Sequence, residues 1–485
     1  MAKHRSAPPC IRLRNRSVGP ALVVAVCTMS IPFLSSRRTS ASSTVSECCD
    51  PLGVSVGALE TQPDARATTP AQVIADPKVT LLDSEGAGKL YQVGSHLVCV
   101  MEGTLSEMGF QHGRLLARHI AHAVQEGYIA KSLWKRGYTR DYVTSQSIRM
   151  ETHFPLEYVE EMRGIVRGMR KAGIDDITYE DIRLAVTQAE ILHFAPDSPP
   201  GCTNFVCWGK WTKDGRLLHG RNLDWSIRRD AQDDAAILIW RPRGGVPFVM
   251  VGWAGAIGGV SGMNARGITI GEMTISSPNA TFDGLPLFLT MRSVLQRAES
   301  LDEAVAIVQA GPRTTGWNFI LGDGKRPDGR ALEVDAKRCE VYGPMDPKES
   351  AETMHWGMED CVRRTNHPVG RDGLVDMARA SGAKYGIEAE DWEQLKPLLP
   401  ALWSQNTFQR YEWLGRQIQA RPKGIGVEEA LELLGNGPVF NEATLHSWVF
   451  DPSNQTAYVA VAGNNPPVTA TRRPYTRIDL SPWFK

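Results

Sequence analysis

Residues 201–225 read GCTNFVCWGKWTKDGRLLHGRNLDW, and the rest of the chain is organised around them. Residues 202–209 alternate in polarity and favour a strand. Lys213-Asp214-Gly215 supplies turn chemistry. A hairpin of 202–209 and 216–222 would return Arg221 and Asp224 to the side of Cys202. Directly upstream, APDSPPG at 195–201 is the strongest turn cluster in the chain.

Moving outward, the character changes across this point. From about 104 to 194 the apolar period is helical, with Leu105, Met108, Leu115, Leu116, Ile120 and Val124 at three- and four-residue spacings. Residues 156–171 and 179–194 predict two more helices. After the break come short strands around AAILIW, FVMVGW and GITIGEMTI, then two helices within 286–310. The second opens at Asp302 or Ser300. Strands return at NFILGD and RALEVD. Helices are predicted over 402–419 and 427–434, and strands around HSWVFD and AYVAVAG. This order predicts an α+β fold with antiparallel sheets packed between helices.

The N-terminus reads differently. Lys3, Arg5, Arg12, Arg14 and Arg16 precede an apolar run, VGPALVVAVCTMSIPFL at 18–34, and Thr39-Ser40-Ala41 offers a cleavage site. Residues 1–41 therefore predict a signal peptide, or an anchor if uncleaved, and an exported protein. Residues 42–94 are expected to be a linker or low-complexity segment. Lys+Arg and Asp+Glu balance at 54 each, against the basic surplus of a nucleic-acid or anionic-membrane binder. Any membrane contact is expected only through the N-terminal segment. With 42% hydrophobic and 22% charged residues, the composition is that of a folded body, not a disordered chain. None of the 9 cysteines forms a C-x-x-C pair, so neither a zinc ribbon nor a thioredoxin-type site is expected.

The question is then whether one cysteine is a nucleophile. A thiol within a core strand is ordinarily a small hydrophobe. One at the mouth of a strand after a constrained turn can be reactive. An Arg and an Asp brought beside Cys202 would respectively stabilise a thiolate and orient an amine.

These residues resemble the nucleophile hairpin of the acyl-CoA:6-aminopenicillanic acid acyltransferase family. That family is a branch of the N-terminal-nucleophile hydrolases, related to acid ceramidase, N-acylethanolamine acid amidase and choloylglycine hydrolase. The resemblance runs over roughly 95–465. EMGFQHGRLLARHI (107–120), GMNARGITI (262–270), RRTNHP (363–368) and TFQRYEWL (407–414) are similar to its other landmarks, in the same order. It implies a four-layer αββα sandwich, with a helical α chain (95–201) and a catalytic β chain (202–485) that associate after cleavage between Gly201 and Cys202. It also implies that Cys202 attacks an amide or thioester carbonyl, with its own freed α-amine as base and no metal or cofactor. A model α-amine has a pKa of about 7.7–8.0. By position, Arg221 and Asp224 keep the family's Arg-x-x-Asp spacing. Asn366 matches the oxyanion-hole asparagine, a donor worth about 3 kcal/mol in a transition state. Arg410 matches the late arginine, and a backbone N–H at Met273 or Thr274 would complete the hole. The interval from Cys202 to Arg221 is a few residues longer than in the ceramidase-like relatives, so their substrate preferences do not transfer.

Plainer readings stand beside these. Arg221 could be a solvated charge, Asp224 and Asn366 turn formers, and Arg410 a surface charge. Cys207 should face away from Cys202 and lie in core. His119 and His122 lack the acidic partner of a helical metal site. Trp317, Trp356, Trp403 and Trp448 are candidates for an acyl pocket or for core. The alternatives to a self-processing acyltransferase or amidohydrolase are a penicillin V or bile-salt type amidase without transferase activity, and an exported binding protein with an inert Cys202.

Overall fold

The predicted hairpin forms. In the computed structural model, which describes residues 71–194, 201–227 and 230–485, strand Cys202–Cys207 pairs antiparallel with Leu218–Asp224. Cys202 lies opposite Leu223 and Asn204 opposite Arg221. Every residue of both strands is buried, as expected of a hairpin covered on both faces.

That hairpin sits near one edge of a 7-stranded sheet. Its order is Val73–Ile74, Tyr475–Asp479, Thr456–Val461, Thr444–Asp451, Leu218–Asp224, Cys202–Cys207, Cys361–Arg364. Beside it lies a 10-stranded sheet, in the order Cys339–Tyr342, Asp328–Val334, Trp317–Asp323, Ile268–Thr274, Gly259–Asn264, Phe248–Trp253, Ala235–Pro242, His96–Gly103, Gly88–Val93, Val79–Glu85. Val98, Val100, Ile237, Ile239, Val249 and Val251 from the larger sheet share one apolar cluster with Trp448, Phe450 and Val459 from the smaller. Alternating side chains thus interleave two sheet faces. Helices Leu105–Leu115, Leu156–Lys171 and Leu287–Arg297 cover the outer face of the larger sheet. Asn406–Gln419 and Val427–Gly435 cover the smaller. The architecture is the αββα sandwich that the resemblance implied.

Local signals explain the helix limits. Thr104 and Glu107 form a reciprocal capping box, as do Thr178 and Asp181 at the start of Tyr179–His193. Ser300, not Asp302, caps Leu301–Ala310. Leu105–Leu115 and Leu156–Lys171 cross at very short range, since a Cβ on Gly113 would stand 1.9 Å from the Ile165 carbonyl oxygen.

Two boundaries need correction. Residues 79–93 belong to the sheet, not to the expected linker over 42–94: Val79–Glu85 and Gly88–Val93 pair as a hairpin. Their alternation is blurred because Leu81 and Leu82 are exposed near the sheet edge. The expected α chain also begins with a strand and not with a helix. His96–Gly103 pairs parallel with Ala235–Pro242, which explains its near-continuous apolar run. The expected signal or anchor over 1–41 and the turn at 195–200 lie outside the described residues. No helix among the described residues is long and apolar enough to cross a membrane.

One buried ion pair ties the outer helices to the sheet. Arg292 binds Glu161 through both guanidinium nitrogens, at 3.0 and 2.6 Å, and both side chains are fully buried. Trp240 Nε1 donates to the same carboxylate at 2.9 Å. Removing one partner strands the other charge, which typically costs about 3–5 kcal/mol. Glu161→Leu is therefore expected to lower the urea midpoint by that equivalent, and Glu161→Gln by less.

Candidate active site

Cys202 is 5% exposed and starts its strand immediately after Gly201. Burial pushes its thiol up to about 12, against the opposing pull of the Arg221 guanidinium. Its backbone N–H donates to Asn366 Oδ1 at 2.6 Å, and Arg221 Nη2 lies 3.8 Å from Sγ. The thiol is thus held neutral, with a cation already facing it. Cys207 falls in a different apolar cluster, on the other side of the sheet.

Arg221 is not a solvated charge. Fully buried, it spans from the smaller sheet to the larger. Its Nε donates to the Glu272 carbonyl at 3.0 Å, Nη1 to Ser261 Oγ at 2.7 Å, and Nη2 to Glu272 Oε1 at 2.5 Å. Burial raises the Glu272 carboxyl while Arg221 lowers it. Its second oxygen is unpartnered and lines the cavity beside Cys202. Glu272 was not singled out from the sequence. The available signal was a carboxylate in the otherwise apolar strand ITIGEMT, which demands a buried cation.

Asp224 is also enclosed. Thr444 Oγ1 donates to Oδ1 at 2.6 Å and Asn441 Nδ2 to Oδ2 at 3.1 Å. Burial raises its pKa to about 6 despite Arg410, these two donors and Arg221. Its backbone N–H donates to the Gly201 carbonyl at 2.9 Å. Gly201 has φ 138°, and a Cβ there would lie 2.5 Å from Asp224 Oδ2, so this position requires glycine.

Asn366 and Arg410 meet at Cys202 from elsewhere in the chain. Arg410, 1% exposed on helix Asn406–Gln419, donates to the Cys202 carbonyl, to Thr203 Oγ1 at 3.1 Å and to Asn366 Oδ1 at 2.9 Å. Asn366 Oδ1 thus accepts from two obligate donors, which fixes the orientation of its amide. Its Nδ2 donates to the Thr274 carbonyl at 2.9 Å. Thr274 therefore enters the site through its C=O. Cys202, Arg221, Asp224, Asn366, Thr274 and Arg410 stand together, but Thr274 presents its C=O where a backbone N–H was expected, and the Asn366 amide expected as an oxyanion donor is bonded to it.

The Asn366 backbone ends a directed hydrogen-bond chain. Its N–H donates to Thr407 Oγ1 at 2.9 Å, which is 2.9 Å from His367 Nδ1. His367 Nε2 is 3.0 Å from His355 Nε2, and His355 Nδ1 is 3.1 Å from Thr353 Oγ1. Burial pushes both imidazoles well below their usual range, so both are neutral. Thr353 gives its hydroxyl proton to the Ser350 carbonyl at 3.1 Å. Donor accounting then assigns Nδ1–H to His355 and Nε2–H to His367, whose Nδ1 is left as an acceptor facing the Thr407 and Thr365 hydroxyls at 2.9 and 3.1 Å.

A largely apolar cavity lies beside Cys202, walled by Tyr128, Leu192, Trp253, Phe288 and Trp317. Of the four tryptophans considered from the sequence, Trp317 reaches it. Trp356 lies over Arg363, Trp403 packs beside His355, and Trp448 packs on His219 and Phe450. His122 pairs with Asp234 at 2.8 Å.

Residues 211–367 match the family model described as acyl-coenzyme A:6-aminopenicillanic acid acyl-transferase. Arg221, Asp224, Glu272 and Asn366 fall within the matched region; Cys202 and Arg410 flank it. The chain is 33% identical to an uncharacterized protein of Archaeoglobus fulgidus, over 79% of this chain and 62% of that one. It is 25% identical to the 40 kDa form of the acyl-coenzyme A:6-aminopenicillanic-acid acyltransferase of Emericella nidulans, over 47% of this chain and 60% of that one. It thus spans less than two thirds of the length of these curated relatives. Among solved structures it is similar to a Caenorhabditis elegans ortholog of N-acylethanolamine-hydrolyzing acid amidase, at 16% identity and a TM-score of 0.37, covering 52% of this chain and 93% of that one.

The Thr407 hydroxyl links the Asn366 backbone to the imidazole pair. Thr407→Val leaves that N–H unpaired and removes one of the two hydroxyls facing His367 Nδ1, so it is expected to destabilise by about 1–3 kcal/mol, with Thr407→Ser recovering most of the loss. Nitrogen-15 NMR at neutral pH should show two neutral rings with the tautomers assigned above; inverted tautomers would refute the chain.

Proposed function

We propose that this chain is a self-processing cysteine N-terminal-nucleophile enzyme that hydrolyses or transfers acyl groups at amide or thioester bonds. The observation that carries the reading is the setting of the Gly201–Cys202 peptide. Its carbonyl oxygen accepts from the Asp224 N–H at 2.9 Å, its N–H is held by Asn366, and the Cys202 thiol faces Arg221. Sulfur attack on the Gly201 carbonyl carbon places the developing oxyanion on the Asp224 N–H. Collapse breaks the C–N bond, the departing nitrogen takes a proton, and a thioester joins Gly201 to Cys202. Water then hydrolyses the thioester, leaving the Gly201 carboxylate and a free Cys202 amine and thiol.

In the cleaved enzyme the α-amine takes the thiol proton, and Arg221 stabilises the thiolate. The thiolate attacks the substrate carbonyl. The ammonium returns its proton to the leaving amine or thiol, and acyl-Cys202 is resolved by water or an acceptor amine. Asn366 and Arg410 hold the Cys202 backbone on the attacking line. No metal or cofactor enters any step.

Purified protein is expected to contain a fragment beginning at Cys202, by intact mass and N-terminal sequencing, and Cys202→Ala should stay uncleaved at that bond. Cleavage of Cys202→Ala between 201 and 202 would sink the reading.

The pH dependence follows from Asp224. Its carboxyl is raised to about 6, so it is protonated below that value and ionised above it. As the ionised form it can accept the proton of the neutral Cys202 thiol. Self-cleavage of the precursor should therefore slow as pH falls through about 6. In Asp224→Asn that inflection should vanish and cleavage be slow at every pH; an unshifted profile would exclude the carboxylate.

A further inference from the structure

The apolar cavity beside Cys202 contains polar atoms that nothing among the described residues satisfies. Trp317 Nε1 and Gln188 Oε1 are two unpartnered atoms carried by lining residues that are 5% and 2% exposed respectively. Gln188 Nε2 is committed to Tyr128 Oη at 2.9 Å and to the Ala185 carbonyl at 3.3 Å, so its oxygen is the free end. Trp317 can only donate and Gln188 Oε1 can only accept. The Trp225 Nε1 donor, also unpartnered, lines the same cavity. His193 Nδ1 and Glu272 Oε2 are likewise unpartnered on lining residues, and Leu192, Tyr128, Trp253 and Phe288 supply much of the apolar wall. A purely alkyl acyl chain seated there would leave the donor and the acceptor without partners.

We propose that the acyl group taken by this site carries a secondary amide beyond the scissile carbonyl, whose oxygen accepts from Trp317 and whose N–H donates to Gln188. Among these unpartnered groups, a donor at Trp317 and an acceptor at Gln188 match the two ends of a peptide-like amide. A site built to bond a polar group also rejects the analogue lacking it. Trp317 and Gln188 are then specificity-determining residues. This inference rests on the reading of Cys202 as the acylated nucleophile.

The test uses the full chain after maturation and p-nitroanilides of two matched series. One comprises N-acetylglycyl, N-acetyl-β-alanyl and N-acetyl-γ-aminobutyryl; the other, straight alkanoyl groups of the same chain length. At least one amide-bearing substrate should exceed its alkanoyl partner by about tenfold or more in kcat/KM, the equivalent of one satisfied buried hydrogen bond. Trp317→Phe and, independently, Gln188→Leu should bring that ratio towards one. Equal or better turnover of every alkanoyl partner by the unaltered enzyme would overturn the proposal, as would a ratio that survives in both variants. Should neither series acylate Cys202 by intact mass, the nucleophile reading itself falls, and this inference with it; alkanoyl acylation without amide preference removes the inference alone.

Discussion

The fold and the site share one constraint: a buried guanidinium that joins the two sheets. Arg221 leaves the smaller sheet and makes three hydrogen bonds to Ser261 and Glu272 on the larger. Taking both charges out of water costs several kcal/mol per ion, and only close geometry recovers it. The facing strands therefore cannot slide. A one-residue slip in the Cys202–Cys207 and Leu218–Asp224 pairing would turn Arg221 to the other face of its sheet and leave Glu272 unpaired. Neighbouring contacts enforce the same register. His219 bridges Asn204 at 2.6 Å and Thr269 at 2.7 Å, and Asn318 donates to the Thr365 and His367 carbonyls. Because Cys202 is the first residue of that registered strand, the seam that fixes the sandwich also fixes the thiol.

Much of this was legible because it is local. Hairpin, turn and Arg-x-x-Asp spacing lie within twenty-five consecutive residues, where strand alternation and turn chemistry operate directly. Helices Leu156–Lys171 and Val427–Gly435 were readable for the same reason: their apolar period is clean. What was missed is non-local. Glu272, Asn441 and Thr444 matter because they complete the shells of Arg221 and Asp224 across the sheet or between strands. The Thr407, His367 and His355 chain depends on a helix meeting the segment after strand Cys361–Arg364, which no spacing announces. Val79–Glu85 was hidden by exposed leucines in a polar stretch.

The opposite error has the same root. Trp317, Trp356, Trp403 and Trp448 looked interchangeable as candidates for an acyl pocket, because type and hydrophobicity alone separate nothing. Their positions are set by partners distant in sequence: Arg363 for Trp356, and His219 for Trp448. Tyr128 and Trp253, whose rings lie 5.5 Å apart in the cavity wall, carried no local mark at all.

The high pKa of the Cys202 thiol is consistent with a nucleophile whose base is made by its own cleavage. With the Gly201–Cys202 peptide intact, burial holds the sulfur neutral, and the nitrogen beside it is an amide with no basicity to offer. On the proposed self-cleavage, hydrolysis of that bond would change three things together. It would turn the amide nitrogen into an amine that titrates near neutrality. It would free the N-terminal end of the strand that starts at Cys202. It would also leave Asn366 Oδ1, already 2.6 Å from that nitrogen, as an acceptor for the new ammonium. Asp224 would then stand beside a positive charge in place of a neutral peptide, which lowers its carboxyl and keeps it ionised. On that proposal the same buried groups would serve two successive states: a neutral thiol with a constrained peptide, and a thiolate paired with its own amine.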